Sequence, residues 1–306
     1  MYEGSSPRPV RLLGIQGAGR CDPYTRPEQW MDEALEDLAG KADQALEAGR
    51  FRPLTVNFWP YGVHFIDRLL GADVYELAPG NWQARVLTTP VGRLREPDLD
   101  SHPDWNLARR IGRAFLAAGL TVPFFGTPVL SSALNIALNL YGQDLLVAMM
   151  DDPASARRDL RTINEVICRL HRWYRQMIPA AQLQMAETIG RVQPPGCGQI
   201  CGCACQLLSP GLYEKFILHL DHEVLSLHAA GSGMVHLCGS HVQHIPLWRR
   251  LQSFKAFQLN DRAAEDFEAY FAGLRNDQVF YVNPTATMSM ERILAISGGR
   301  RVVIVC

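Results

Sequence analysis

Four short apolar runs near the C-terminus, separated by segments of helical spacing, restrict the fold of this chain more than any other feature. They are Gly233–Cys238 (GMVHLC), Lys255–Asn260 (KAFQLN), Gln278–Asn283 (QVFYVN) and Arg301–Cys306 (RVVIVC). Short, near-continuous apolar runs alternating with helices are the pattern of a parallel sheet buried on both faces. Strands are also expected at Leu54–Phe58, Leu120–Phe125 and Gln182–Thr188. Helices are expected over Arg26–Gly49 and Asn106–Ala118, from Asp152-Pro153 to about Ile178, and from Ser209-Pro210 to near Gly231. A capping side chain followed by proline is a standard helix start. Tyr75–Asp104, punctuated by glycine and proline, reads as loop. No glycine-rich dinucleotide turn or P-loop follows any strand, which favours a closed (β/α)8 TIM barrel over an open sheet. The expectation is a single-domain α/β barrel over residues 51–306, preceded by an extension, residues 1–50, with a loose terminus at 1–10 and one helix.

Charge and cysteine content narrow the function. The formal net charge of −1 supplies no basic field for a nucleic-acid backbone. No stretch has the length of a bilayer span or the pattern of a secretory leader, so a cytoplasmic protein without a membrane partner is expected. Thiols stay reduced there, and eight cysteines then point to metal binding or catalysis before disulfides.

In the run MVHLC, His236 and Cys238 are two apart and share a strand face, giving one nitrogen and one sulfur donor side by side. Cys306 closes the last strand. In a parallel barrel all strand C-termini open on one mouth, so Cys306 is expected as the third ligand of a zinc ion whose fourth position stays open for substrate. Asp261, just past another strand, could replace or supplement Cys306. A second cluster, Cys197, Cys201, Cys203 and Cys205, has the spacing C-x3-C-x-C-x-C, which is neither a zinc-finger nor a ferredoxin pattern. It could form a second metal or redox site, lend a ligand to the first zinc, or be a tight loop of inert thiols. Tyr61 and His64 after the first barrel strand, His241 after the His-x-Cys strand, and Asn283 at a strand end could touch substrate.

The segments Leu208-Ser-Pro-Gly-Leu-Tyr-Glu-Lys-Phe216 and His236-Leu-Cys-Gly239, with Gly126-Thr-Pro-Val and Tyr141-Gly-Gln-Asp-Leu-Leu, resemble the uroporphyrinogen decarboxylase superfamily over roughly residues 50–306. The resemblance implies one of two chemistries. One branch decarboxylates a tetrapyrrole without a cofactor. The other holds zinc on an H-x-C…C motif, which His236, Cys238 and Cys306 match, and moves a methyl group from a methylated corrinoid to a thiol such as coenzyme M. The decarboxylase branch carries an aspartate after its first strand, where this chain reads Asn57-Phe-Trp-Pro-Tyr-Gly-Val-His64. Ala18-Gly-Arg20 matches part of that branch's arginine motif and makes Arg20 a substrate-binding candidate. The balance implies a zinc methyltransferase. The chain has no D-x-H-x-x-G motif, so the corrinoid is expected on a partner protein.

Overall fold

The computed structural model describes residues 8–306; residues 1–7 of the expected loose terminus lie outside that range. The strands, in chain order, are β1 (Val10–Leu12), β2 (Ile15–Gly17), β3 (Leu54–Asn57), β4 (Val74–Ala78), β5 (Asn81–Ala84), β6 (Phe124–Gly126), β7 (Leu183–Gln184), β8 (Gly198–Cys201), β9 (Gly233–Leu237), β10 (Phe254–Leu259), β11 (Val279–Val282) and β12 (Val302–Val305). Six form one sheet in the order β1-β12-β11-β10-β9-β8, four a second in the order β2-β3-β6-β7, and every pair in them is parallel. β4 and β5 make a separate antiparallel hairpin.

Two seams join the sheets. β1 and β2 are one segment bent at Leu13-Gly14, pairing with β12 before the bend and with β3 after it. The bend needs glycine, because a Cβ on Gly14 would sit 2.7 Å from the Cα of Ile189. At the other side the contact is an isolated bridge: Ser131, in the segment beyond β6, bridges Cys201 of β8, and the Ser132 amide donates to the Cys201 carbonyl at 3.0 Å. The chain therefore has the expected mixed α/β class with parallel strands. Among the described residues its ladder is divided between two sheets, and no unbroken ring of eight strands runs through it.

Several elements depart from expectation. β1 and β2 lie within the expected extension, β8 inside the cysteine-rich stretch, and β4–β5 in the loop-rich stretch. Strands of three to five residues are too brief to show periodicity. The first helix ends at Gly40 and gives way to a 3-10 turn, Ala42–Leu46. The helix expected after Ser209 is two, Pro210–Phe216 and Leu218–Ser226. The helix Pro153–Met177 matches expectation: Asp152 caps it by accepting from the Ser155 amide, and one stripe, including Leu160, Ile163, Ile167 and Tyr174, is buried. No helix of the described residues is long and apolar enough to cross a membrane.

Alternation along the central strands separates two cores. Val235, Leu237, Phe257, Leu259, Phe280 and Val282 belong to the large cluster that includes the helices. Met234, Ala256, Val279, Tyr281 and Val303 form a smaller one on the other face. Two residues beyond Met234 and Ala256, that same face carries His236 and Gln258.

Candidate metal centre

Parallel register sets the first contacts. Cys201 on β8 pairs with His236 on β9, and His236 with Gln258 on β10. Register partners share a face about 4.8 Å apart, so these side chains form one row at the C-terminal ends of three strands. After Cys201 the chain turns into a 3-10 element, Cys203–Leu207, which folds Cys203 back until its Sγ lies 3.6 Å from that of Cys201. Cys238 follows β9 directly, with Sγ 3.1 Å from His236 Nε2, and its thiol also hydrogen-bonds Cys203. The donor atoms of Cys201, Cys203 and His236 all lie within 4.8 Å of one another, so this group could hold a metal ion. A tetrahedral ion with bonds of about 2.3 Å to sulfur and about 2.0 Å to nitrogen keeps its donors roughly 3.5–3.8 Å apart. The spacing suits zinc, and Cys238 lies beside the group, next to His236.

The surroundings orient these donors. Gln258 Oε1 meets His236 Nδ1, and Gln258 Nε2 donates to Asn283 Oδ1. With Nδ1 donating to Gln258, Nε2 is the nitrogen directed at the thiols, and Gln258 is the second layer that metal-binding histidines require. Asn135 donates to Cys201 Sγ at 3.5 Å and accepts from the Ala204 amide at 2.9 Å. Its helix, Ala133–Tyr141, is capped by Ser132 and begins beside Cys201.

The electrostatics favour thiolates. The hydrogen bond with Cys203 is the main reason the Cys238 thiol is lowered, with His236 assisting against burial. Contact with Cys203 also lowers Cys201, again against burial and with help from His236 and Arg191. Cys203, whose single proton lies between the two, is raised. Burial and Arg191 push the His236 imidazole down, but the hydrogen bond to Cys238 and the charges of Cys201 and Cys238 prevail, and its pKa rises. Two soft anions beside an imidazole are what a soft divalent cation seeks.

Not every expected residue joins this group. Cys306, the expected third ligand, is exposed, its Sγ contacting its own Ile304 carbonyl at 3.9 Å. It closes β12, three strands from β9 in the sheet order, which is about 14 Å at the usual strand spacing. Cys201 and Cys203 stand where Cys306 was expected. Asp261 is exposed, and its carboxylate accepts from Asn260 at 3.1 Å. Cys197 precedes β8 at the opposite end from Cys201, where burial lifts its thiol to about 11; Cys205 is buried and is also raised by burial.

A cavity of ≈ 450 Å³ opens beside the cluster, lined among others by Trp59, His64, Trp82, Arg191, Cys201 and His236. His64 is thus at the mouth. Tyr61 instead donates its hydroxyl to Asp104 in the wall. Arg20 pairs with Glu36 at 3.9 Å on the surface and lines a different depression, with Glu33 and Asp37. His241 is fully buried and clamps two loops, Nδ1 against the Gly239 carbonyl at 2.5 Å and Nε2 against that of Cys203 at 3.0 Å. Asn283 acts through Gln258. Gln258, Asn135 and Arg191 are residues that sequence reasoning missed. For the first two a signal existed: each is a polar residue in a mostly apolar strand or helix.

No protein-family model matches the chain, and no curated protein matches it. Among solved structures it is similar to a methyltransferase from Methanosarcina mazei, at 14% identity and a TM-score of 0.63, over 97% of this chain and 87% of that one. The likeness is one of fold, and it extends over almost the whole molecule.

Proposed function

We propose that the chain is a zinc-dependent methyltransferase that moves a methyl group from a methylated corrinoid, carried by a separate protein, to a small thiol. One observation carries the reading: cysteine and histidine donors from β8 and β9 converge at zinc spacing on the rim of a cavity large enough for a small substrate. The fold likeness to a methyltransferase supports it. In this reading the two sheets are the walls of one barrel, and the cavity is its mouth, where such folds place their chemistry.

Cys201, Cys203 and His236 would hold the ion, leaving a fourth position for the thiol, with Cys238 beside the group. Zinc, when bound, lets a thiol react as thiolate at neutral pH. The protein's own residues orient the donors through Gln258, Asn283 and Asn135, and Trp59 and Trp82 shield the cavity wall. A cofactor-free tetrapyrrole decarboxylase has less support, because Arg20 lies outside the cavity and Asn57, a neutral amide where that branch carries an aspartate, is buried with its Oδ1 taken by the Thr188 amide and hydroxyl at 3.1 and 3.0 Å.

Elemental analysis of protein purified without added metal should find zinc near one equivalent. Zinc-loaded protein should then demethylate methylcobalamin in the presence of coenzyme M, followed by absorbance. Zinc-loaded protein no faster than free thiol would refute methyl transfer to thiols.

A further inference from the structure

We propose that His64, oriented by Asp67, accepts the proton of a thiol entering the mouth cavity; the proposal rests on reading that cavity as the thiol site. The chain leaves β3 through a sharp reversal, with Tyr61 and Gly62 both left-handed at φ 59° and 57°. The 3-10 turn Gly62–His64 and the helix Phe65–Leu69 follow. Residues three apart there share a face, which brings His64 Nδ1 to 2.6 Å from Asp67 Oδ2. Asn139 donates to that same oxygen at 2.8 Å. Asp67 is fully buried, and its Oδ1 has no partner. A buried carboxylate with an orphaned oxygen is costly, so packing alone does not explain it. Burial raises the Asp67 carboxyl, and the hydrogen bonds from His64 and Asn139 to its other oxygen oppose that.

With Nδ1 donating to Asp67, Nε2 is the accepting nitrogen, and His64 lines the cavity together with Cys201 and His236. The helix Ala133–Tyr141 measures the separation. Asn135 touches Cys201 and Asn139 touches Asp67, and four residues span about 6 Å along a helix. The His64–Asp67 pair and the thiol cluster therefore flank the same helix, at contacts one turn apart along it. The charged or titratable groups around His64 are Asp67 on its own helix, Glu187 and Arg191 from the loop after β7, and Cys201 and His236. Arg68 is turned to Asp104 at 2.9 Å. The neighbouring hairpin and helix contribute Asn81, Trp82, Gln83, Asn135 and Asn139, none of them charged.

The step balances without another reactant. The S–H bond breaks, the proton bonds to Nε2, and the electron pair stays on sulfur. Asp67 compensates the imidazolium, so it is a positioning residue.

The test uses zinc-loaded protein, 2-mercaptoethanol as the thiol, and calorimetry at one neutral pH in two buffers of different ionisation enthalpy. Wild type should release close to no proton per thiol bound, and His64→Gln close to one. Equal release in the two removes the role of His64 alone. Absence of thiol binding to zinc-loaded wild type removes the reading of the cavity and this proposal with it. A second measurement needs no metal: nitrogen-15 NMR of wild type should show the His64 ring protonated at Nδ1, and Asp67→Asn should redistribute the tautomers. A wild-type ring protonated at Nε2 overturns the assignment.

Discussion

Exchanging Cys201 for serine tests the centre against the more obvious alternative, Cys306. Cys201 is the register partner of His236, its Sγ lies 3.6 Å from that of Cys203, and Asn135 donates to it. Structural zinc binds its peptides with about 10–16 kcal/mol, roughly 3 kcal/mol for each ligand of such a site, and a cysteine of this three-donor group should contribute at least as much, so Cys201→Ser should weaken zinc binding at least about 100-fold. Cys306 lies three strands away and touches only its own Ile304 carbonyl, so Cys306→Ser should change affinity by less than about twofold, within the tolerance of a surface substitution. Competition with a chromophoric chelator at neutral pH measures both. If Cys306→Ser loosens the metal as much as Cys201→Ser, the terminal thiol reaches the ion and the register argument is wrong.

Metal-free protein at mildly acidic pH should be alkylated by iodoacetamide first at Cys238 and Cys201, whose thiols are lowered by their contacts with Cys203 and His236, and hardly at Cys197, which burial raises to about 11; peptide mass spectrometry reads the order, and zinc should abolish it. Asp221 is buried and hydrogen-bonded to Tyr213 at 2.7 Å, and burial raises its carboxyl from 3.8 to about 7. Between those values the folded state holds the proton that the unfolded state has lost, so stability falls as pH rises, by roughly 4 kcal/mol in full. Asp221→Asn should flatten that slope in urea midpoints measured across the range, and an unchanged slope would assign it elsewhere. Gly233→Ala would put a Cβ 2.2 Å from the Gly198 carbonyl oxygen, forcing β8 and β9 apart at a cost of about 1–3 kcal/mol and loosening zinc as well. Chemical denaturation checks the first effect, and full zinc affinity in the folded variant would show that strand spacing does not set the site.

The four C-terminal strands were legible because each is an apolar run bounded by helical segments, and their expected and observed limits differ by a residue or so at either end. β8 was not legible, since glycines and cysteines carry no alternation and its backbone is held by β9. The His236–Cys238 pair could be read from a spacing of two on one strand. Its partners could not, because C-x-C in a glycine-rich stretch is compatible with a loop of inert thiols, and only the 3-10 turn at Cys203 returns that sulfur to its neighbour. Asp67 and Asn139 look like ordinary polar interruptions until they are placed 2.8 Å apart.

The sequence by itself determined the α/β class, the parallel strands and one nitrogen–sulfur pair on a common face, because hydrophobic periodicity and side-chain alternation are properties of neighbouring residues. The tertiary structure decided which cysteines join that pair, which histidine faces the cavity, and how the strands divide between two sheets. Those depend on register and strand order, which are set by packing between segments far apart in the chain and leave no trace in local pattern.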